Sequence, residues 1–334
     1  MSKIIAEIAQ YHDGSVGRAH AMIDALADAG VNCIKFQTHI AKYESSIYEP
    51  WRVKFSTQDK TRYDYWKRME FDESVWRELK AHCDEKNVEF LSSPFSIEGA
   101  QLLEKIGVSS WKLASGEVGN KLLTDYLIST GKPIICSSGM SYWNELDAFV
   151  EDAKRKCIDL TLLQCTSKYP TQMKDVGLNV MQEMKKRYGV RVGLSDHTGT
   201  IFPCLTAVAL GAECVEVHAC MSKRDFGPDV VASLTIEQIE ELCNGIKSVE
   251  EMLNSPVDKD SMSIQLGQMR TTFTKSLCAK KDFEAGHILK KEDLVALKPL
   301  IGISVQDMDK IVGKRLKRFL RECEIIKLDD VEDA

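Results

Sequence analysis

From residue 3 to about residue 254 the chain repeats one unit eight times: a short, nearly continuous apolar run, then a longer amphipathic one. The apolar runs are "IIAEIAQ" (4–10), "CIKFQT" (33–38), "VEFLSSP" (88–94), "SWKLAS" (110–115), "PIICSS" (133–138), "LTLLQC" (160–165), "VRVGLSD" (190–196) and "CVEVHAC" (214–220). Runs of this length and continuity suit strands buried on both faces. Between them, stretches such as "GRAHAMIDALADAG" (17–30), "DESVWRELKAHCDEK" (72–86) and "IEGAQLLEKIG" (97–107) carry helical spacing, and several end in glycine. This rhythm predicts an α/β fold, a (β/α)8 TIM barrel. A doubly wound sheet is the alternative, but no GxGxxG follows the first strand.

Two segments depart from the rhythm. "AKYESSIYEPWRVKFSTQDKTRYDYWKRME" (41–70) is far longer than an ordinary connection, which predicts either a lid or a dimer-contact excursion. After residue 254 the periodicity fades. The expected division is therefore a catalytic barrel over 1–254, a linker over 255–272 and a small, mostly β unit over 273–334, marked by a glycine turn at Gly286 and a break at Pro299 to Gly302. A unit of that size has a marginal core of its own.

Composition narrows the function classes. A net charge of −6 with no basic stripe argues against nucleic acid as a partner. No run approaches the ~18 apolar residues of a membrane span, and "MSKIIAEIAQ" has no signal-peptide anatomy. Eleven cysteines, an odd number with no CxxC pair, read as buried reduced thiols in a cytoplasmic protein.

In a barrel, the polar residues that end each strand gather at one face. The first two strands lead to His12, Asp13, Lys35 and Gln37; the third and fourth to Ser92, Ser93, Lys112, Ser115 and Glu117. The fifth and sixth lead to Ser137, Ser138, Thr166, Ser167 and Tyr169; the last two to Ser195, His197, Glu216 and His218. His197 and His218 stand on adjacent strands and can converge as ligands of a divalent metal, with open positions for substrate. A lysine inside a buried strand is costly unless it meets an anion. Lys35 and Lys112 amid serine hydroxyls therefore suggest a phosphate and carboxylate pocket, with a Schiff-base lysine as the rival reading. Glu117 and Asp13 are acid/base candidates beside Lys112, and "GPD" (227–229) offers Asp229 from a loop past the second histidine.

The stretches "AEIAQYHDGS", "IKFQTHI", "FLSSPFS", "WKLASGE", "SSGM", "CTSKYPT", "GLSDHT", "EVHACM" and "FGPDVVAS" together resemble the sialic acid synthase (N-acetylneuraminate synthase) family, which includes legionaminic and pseudaminic acid synthases. "KSLCAKKDFEAGHIL" is similar to that family's antifreeze-like (SAF) domain. The resemblance implies a phosphoenolpyruvate-dependent transferase. It would condense phosphoenolpyruvate with an acylated hexosamine, N-acetylmannosamine or a relative, to a nine-carbon 2-keto acid plus phosphate. It also implies a domain-swapped homodimer and a divalent Mn or Mg ion on His197 and His218. By position, Lys35, Lys112, Ser93, Ser115, Ser137 and Ser138 would hold phosphoenolpyruvate, with Ser167 and Ser195 beside them. Gln37, Tyr169 and Asp229 would contact the sugar, and Glu117 would lie near the reacting carbons.

Two departures bear on the acceptor. The first motif reads Tyr11-His12-Asp13-Gly14 where the family has Asn-His, then Asn or Glu, then Gly. Lys298, in Leu297-Lys298-Pro299-Leu300, stands where the family has a sugar-contacting arginine, and a lysine lacks the planar fork. Both suggest an acceptor different from N-acetylmannosamine. A related aldolase making a seven- or eight-carbon sugar acid, whose metal site usually adds a cysteine, and a non-catalytic sugar-binding role are the competing readings.

Overall fold

Eight parallel strands form one sheet in the order β3-β2-β1-β8-β7-β6-β5-β4. They are β1 (Lys3–Glu7), β2 (Cys33–Thr38), β3 (Glu89–Pro94), β4 (Trp111–Leu113), β5 (Ile134–Ser137), β6 (Leu160–Cys165), β7 (Arg191–Asp196) and β8 (Cys214–Cys220). This computed structural model describes residues 2–334, in which the sheet is a nearly closed (β/α)8 TIM barrel. The chain divides into two compact units, Met1–Asn254 and Ser255–Ala334.

Because strand side chains alternate, each strand sends every second residue into the barrel. Ile5, Cys33, Leu91, Ile135, Leu163 and Cys214 meet there as a fully buried apolar layer. Two residues further along come Glu7, Lys35, Ser93, Ser137, Cys165 and Glu216, a polar layer directly above. The intervening residues, Ile4, Ala6, Ile34, Phe36, Leu162 and Val215 among them, pack outward against the helices. The period of two thus converts a continuous apolar run into a greasy floor with a reactive layer on top.

The helices bury one face each. Val16–Asp28 is capped by the Ser15 hydroxyl, which accepts from Arg18 N, and presents Ala19, Met22, Ile23 and Leu26 to the sheet. Burying each of the large side chains contributes roughly 1.5–3 kcal/mol. Where β7 pairs with β8, residue 193 is glycine: a Cβ there would lie 1.9 Å from the Cys214 carbonyl oxygen.

Strand ends differ from expectation at two places. β1 stops at Glu7, and Ala9–His12 turns into a 3-10 helix. β4 is only Trp111–Leu113, with Ser115–Glu117 again 3-10. The first of these turns is buried throughout, which is why the apolar run continues past β1, whereas no residue of Ser115–Glu117 is buried.

In the second unit, Ser276–Ala279 pairs antiparallel with Leu294–Leu297, and Arg315–Leu316 with Val331–Glu332. They enclose a small core of Leu277, Phe283, Leu289, Ile311, Leu320 and Ile326. The expected linker is helical, with Lys259–Gln265 capped by Asp258 and then Gly267–Phe273. Neither helix buries a residue, so the sequence there shows no apolar period. No helix among the described residues is long and apolar enough to cross a membrane, and all eleven cysteines are free.

Candidate active site

A cavity of about 400 Å³ opens at the C-terminal ends of the strands. Its floor holds both buried lysines. Lys112 Nζ donates to Ser137 Oγ at 2.7 Å and lies 3.7 Å from Glu216 Oε1. Lys35 Nζ lies 3.6 Å from the same oxygen and contacts Glu7 directly. Burial, with Lys112 nearby, lowers the pKa of Lys35 to about 8, against the pull of Glu216. Burial acts to raise the Glu216 carboxyl, but Lys112 and Lys35 outweigh it and hold it below the ordinary carboxylate range.

Two buried oxygens on this floor, Glu216 Oε2 and Ser93 Oγ, have no hydrogen-bond partner. Buried polar atoms are nearly always paired, so a cluster of orphans marks where a ligand's polar groups belong.

The two histidines converge, with ring centroids 5.2 Å apart. His197 Nδ1 lies 3.1 Å from the Thr166 carbonyl, which can only accept, so Nδ1 carries the proton and Nε2 is left for a ligand. Burial lowers the pKa of His218 to about 4, which keeps its imidazole neutral. At His197 burial acts the same way, but Cys165 and the Thr166 carbonyl outweigh it and raise the pKa. Two imidazoles with free nitrogens fit a divalent cation. Among the described residues no group of three or more His, Cys, Asp or Glu has metal-holding spacing. Any ion would therefore rest on this pair plus oxygen atoms from ligand or water. Cys165 Sγ approaches His197 Nδ1 at 3.8 Å, the nitrogen turned toward Thr166 rather than the free one.

The remaining wall comes from the 41–70 segment, which contributes Glu44, Glu49, Arg52, Arg62 and Trp66 to the cavity. The segment has a small core of its own, Ala41, Tyr65, Trp66 and Met69 with Trp51, Phe55 and Tyr63 against them. Arg52 Nη2 binds Asp229 Oδ1 at 2.6 Å and its guanidinium sits 4.3 Å over the Tyr169 ring. Tyr169 in turn packs 4.2 Å from His197. The excursion is thus a cavity wall tied to residues near the imidazoles.

Of the residues singled out from sequence, Lys35, Gln37, Ser93, Lys112, Ser115, Glu117 and Ser137 line the cavity, as do Ser167, Tyr169, Ser195, His197, His218 and Asp229. Three do not. Asp13 is turned to Arg68, with Oδ1 2.7 Å from Nη1, in a cluster completed by Asp59. The Ser138 hydroxyl donates to the Leu163 carbonyl at 3.1 Å. Lys298 belongs to the second unit, where its ammonium lies 5.1 Å from the Phe273 ring centroid.

Glu7, Gln10 and His39 line the cavity but went unnoticed in the sequence. Glu7 had a usable signal: it stands two positions after Ile5, on the inward parity. The wall residues of 41–70 had none, because nothing local says which way an aperiodic segment folds.

Buried lysines, hydroxyls and facing imidazoles line the C-terminal mouth of this (β/α)8 barrel. Residues 22–258 match the NeuB family and residues 274–332 the SAF domain. The chain belongs to the NeuB family. It is 33% identical to N,N'-diacetyllegionaminic acid synthase of Campylobacter jejuni, over 97% of this chain and 98% of that one. Identity to human N-acetylneuraminate-9-phosphate synthase is 30%, over 99% and 92% of the two chains. A crystal structure of N-acetylneuraminic acid synthetase from Leptospira borgpetersenii, in complex with citrate, superposes with a TM-score of 0.71 at 29% identity, covering 80% of this chain and 91% of that one.

Proposed function

We propose that the protein is a nonulosonic acid synthase that condenses phosphoenolpyruvate with an acylated hexosamine, forming a nine-carbon 2-keto acid and releasing phosphate. The observation that carries this reading is the floor: two buried lysines and orphaned polar oxygens beside a pair of facing imidazoles. A homodimer and a role for Lys298 at the acceptor belong to the same proposal.

The charge balance supports a cation. Lys35 and Lys112 are already matched by Glu7 and Glu216, so a phosphate-and-carboxylate ligand brings negative charge that the floor does not offset. A divalent Mn or Mg ion on His197 and His218 would supply that charge, and Lewis acidity toward the acceptor's aldehyde oxygen.

The chain's own residues do the rest. Lys112, Ser137, Ser115 and Ser93 orient phosphoenolpyruvate so that its C3 faces the aldehyde carbon. A C–C bond forms between those atoms, water adds at C2, and the C2–oxygen bond to phosphate breaks to leave the ketone. Lys35 and Lys112 stabilise the phosphate and carboxylate charge throughout. Glu117, its carboxyl pushed up by burial and by Glu44 against a hydrogen bond from Asn120, suits a proton-holding role at the acceptor oxygen. Phosphate release from phosphoenolpyruvate with a panel of hexosamines, with mass spectrometry of the product, tests the reaction; no release with any acylated member overturns it.

Two further results are expected. Because Lys35 loses its proton near pH 8 in the free protein, kcat/KM for phosphoenolpyruvate should fall as pH rises through about 8 and recover below it. A profile flat to pH 10 would remove Lys35 from the site. Gly139 N donates to Ser115 Oγ at 3.0 Å, and a Cβ at 139 would lie 2.2 Å from Ser167 Oγ. Gly139→Ala must displace those hydroxyls, so kcat/KM for phosphoenolpyruvate should drop roughly 10²-fold, the cost of an ångström-scale misplacement. Unchanged kinetics would show that the serines do not position substrate.

A further inference from the structure

The outer half of the cavity carries Glu44, Glu49, Glu117 and Asp229 against Arg52 and Arg62. Asp229 matches Arg52, and Glu49 lies 3.1 Å from Arg62 Nε. Within this polar wall, two buried side-chain atoms have no hydrogen-bond partner: Glu44 Oε2, an acceptor, and Arg62 Nε–H, a donor that is out of line for Glu49. Arg62 sits on Trp66 directly, and Glu44 is joined to it through His39. The Arg62 guanidinium lies 4.6 Å over its ring. His39 stacks on the same ring at 4.0 Å, with Phe95 on its other face at 4.7 Å.

Glu44 is fixed in place. Its other oxygen, Oε1, is 2.7 Å from His39 Nδ1, and its side chain is 7% exposed. His39 Nε2 lies 2.9 Å from the Gln10 amide nitrogen and 3.2 Å from Gln37 Oε1. A carboxylate oxygen can only accept, so Nδ1 carries a proton that points at Glu44 and fixes the carboxylate's orientation. Leaving a buried carboxylate oxygen and a buried guanidinium N–H both unmet is costly. One ligand group meets both: an amide, whose N–H donates to Glu44 and whose carbonyl accepts from Arg62.

We infer that Glu44, held through His39, and Arg62, seated on Trp66, form a subsite on the barrel's own wall that reads an uncharged acylamino group of the acceptor. This rests on the synthase reading above and deepens it to a substrate class: an acceptor whose far end carries an N-acyl substituent, not a phosphate ester. A phosphate in the subsite would satisfy Arg62 alone and face the Glu44 carboxylate.

The test compares kcat/KM, by phosphate release, for hexosamines bearing one acylamino group, two acylamino groups, and one acylamino group with a 6-phosphate. The unsubstituted protein should favour the uncharged acylated acceptors over the phosphorylated one by at least about tenfold, a hydrogen bond to a charged group being worth that much. Glu44→Gln and Arg62→Gln should each raise KM for the preferred acceptor about tenfold and shrink the preference, for the same reason. Phosphoenolpyruvate binding, measured by calorimetry without acceptor, reports whether each variant keeps its fold. The phosphorylated sugar winning in the unsubstituted protein, or both variants keeping the preference, overturns the subsite while leaving the reaction standing. Absence of phosphate release with every acylated hexosamine overturns the reaction itself.

Discussion

His197→Ala and His218→Ala are each expected to lower kcat by about 10³-fold or more, since removing Lewis-acid stabilisation costs several kcal/mol at the transition state. Each removes one of two imidazoles whose ring centroids lie 5.2 Å apart, and among the described residues no third His, Cys, Asp or Glu is spaced to replace it. Calorimetric titration with Mn should show binding to the unsubstituted protein and none to either variant. Because His218 is buried and held neutral, replacing it with alanine leaves no unmatched charge, so that variant should remain folded. Excess chelator should abolish turnover and added Mn or Mg restore it. Full turnover in chelator, or undiminished Mn binding by both variants, would rule out the imidazole pair as the ion's seat.

The second large effect is at the floor. Lys35→Ala and Lys112→Ala should each cost ~1.5–3 kcal/mol in kcat/KM for phosphoenolpyruvate, the range for hydrogen bonds to charged groups. Stability should fall as well. Read from sequence, the two lysines serve only the ligand; in the fold they also flank Glu216, and Lys35 flanks Glu7. Removing one partner of a buried ion pair leaves the other uncompensated, at roughly 3–5 kcal/mol. Lys112→Met paired with Glu216→Gln separates the two effects: thermal stability should largely recover while phosphoenolpyruvate binding stays weak. Recovery of binding in that double variant would mean that Lys112 serves the fold alone. Trapping of a borohydride-stable adduct on Lys112 during turnover would instead establish Schiff-base chemistry.

The sequence by itself determined the barrel and most of its floor. Eight apolar runs separated by amphipathic ones suit few other architectures, and within each run the period of two decides which residues face inward. Lys35, Lys112, Ser137, Ser195, His197 and His218 follow from that parity together with strand-end position, because both are local properties of the chain. Tertiary structure alone decided what each of them meets. That Glu7 and Glu216 neutralise the lysines depends on barrel closure, which brings β1, β2, β4 and β8 around one point. That Asp13 turns to Arg68 depends on where the 41–70 segment lies, and that segment has no apolar period from which its path could be read. The same path sets Arg62 on Trp66 and Glu44 against His39. Strand registry is dictated by neighbouring residues, whereas the course of an aperiodic wall is dictated by contacts with partners distant in the chain.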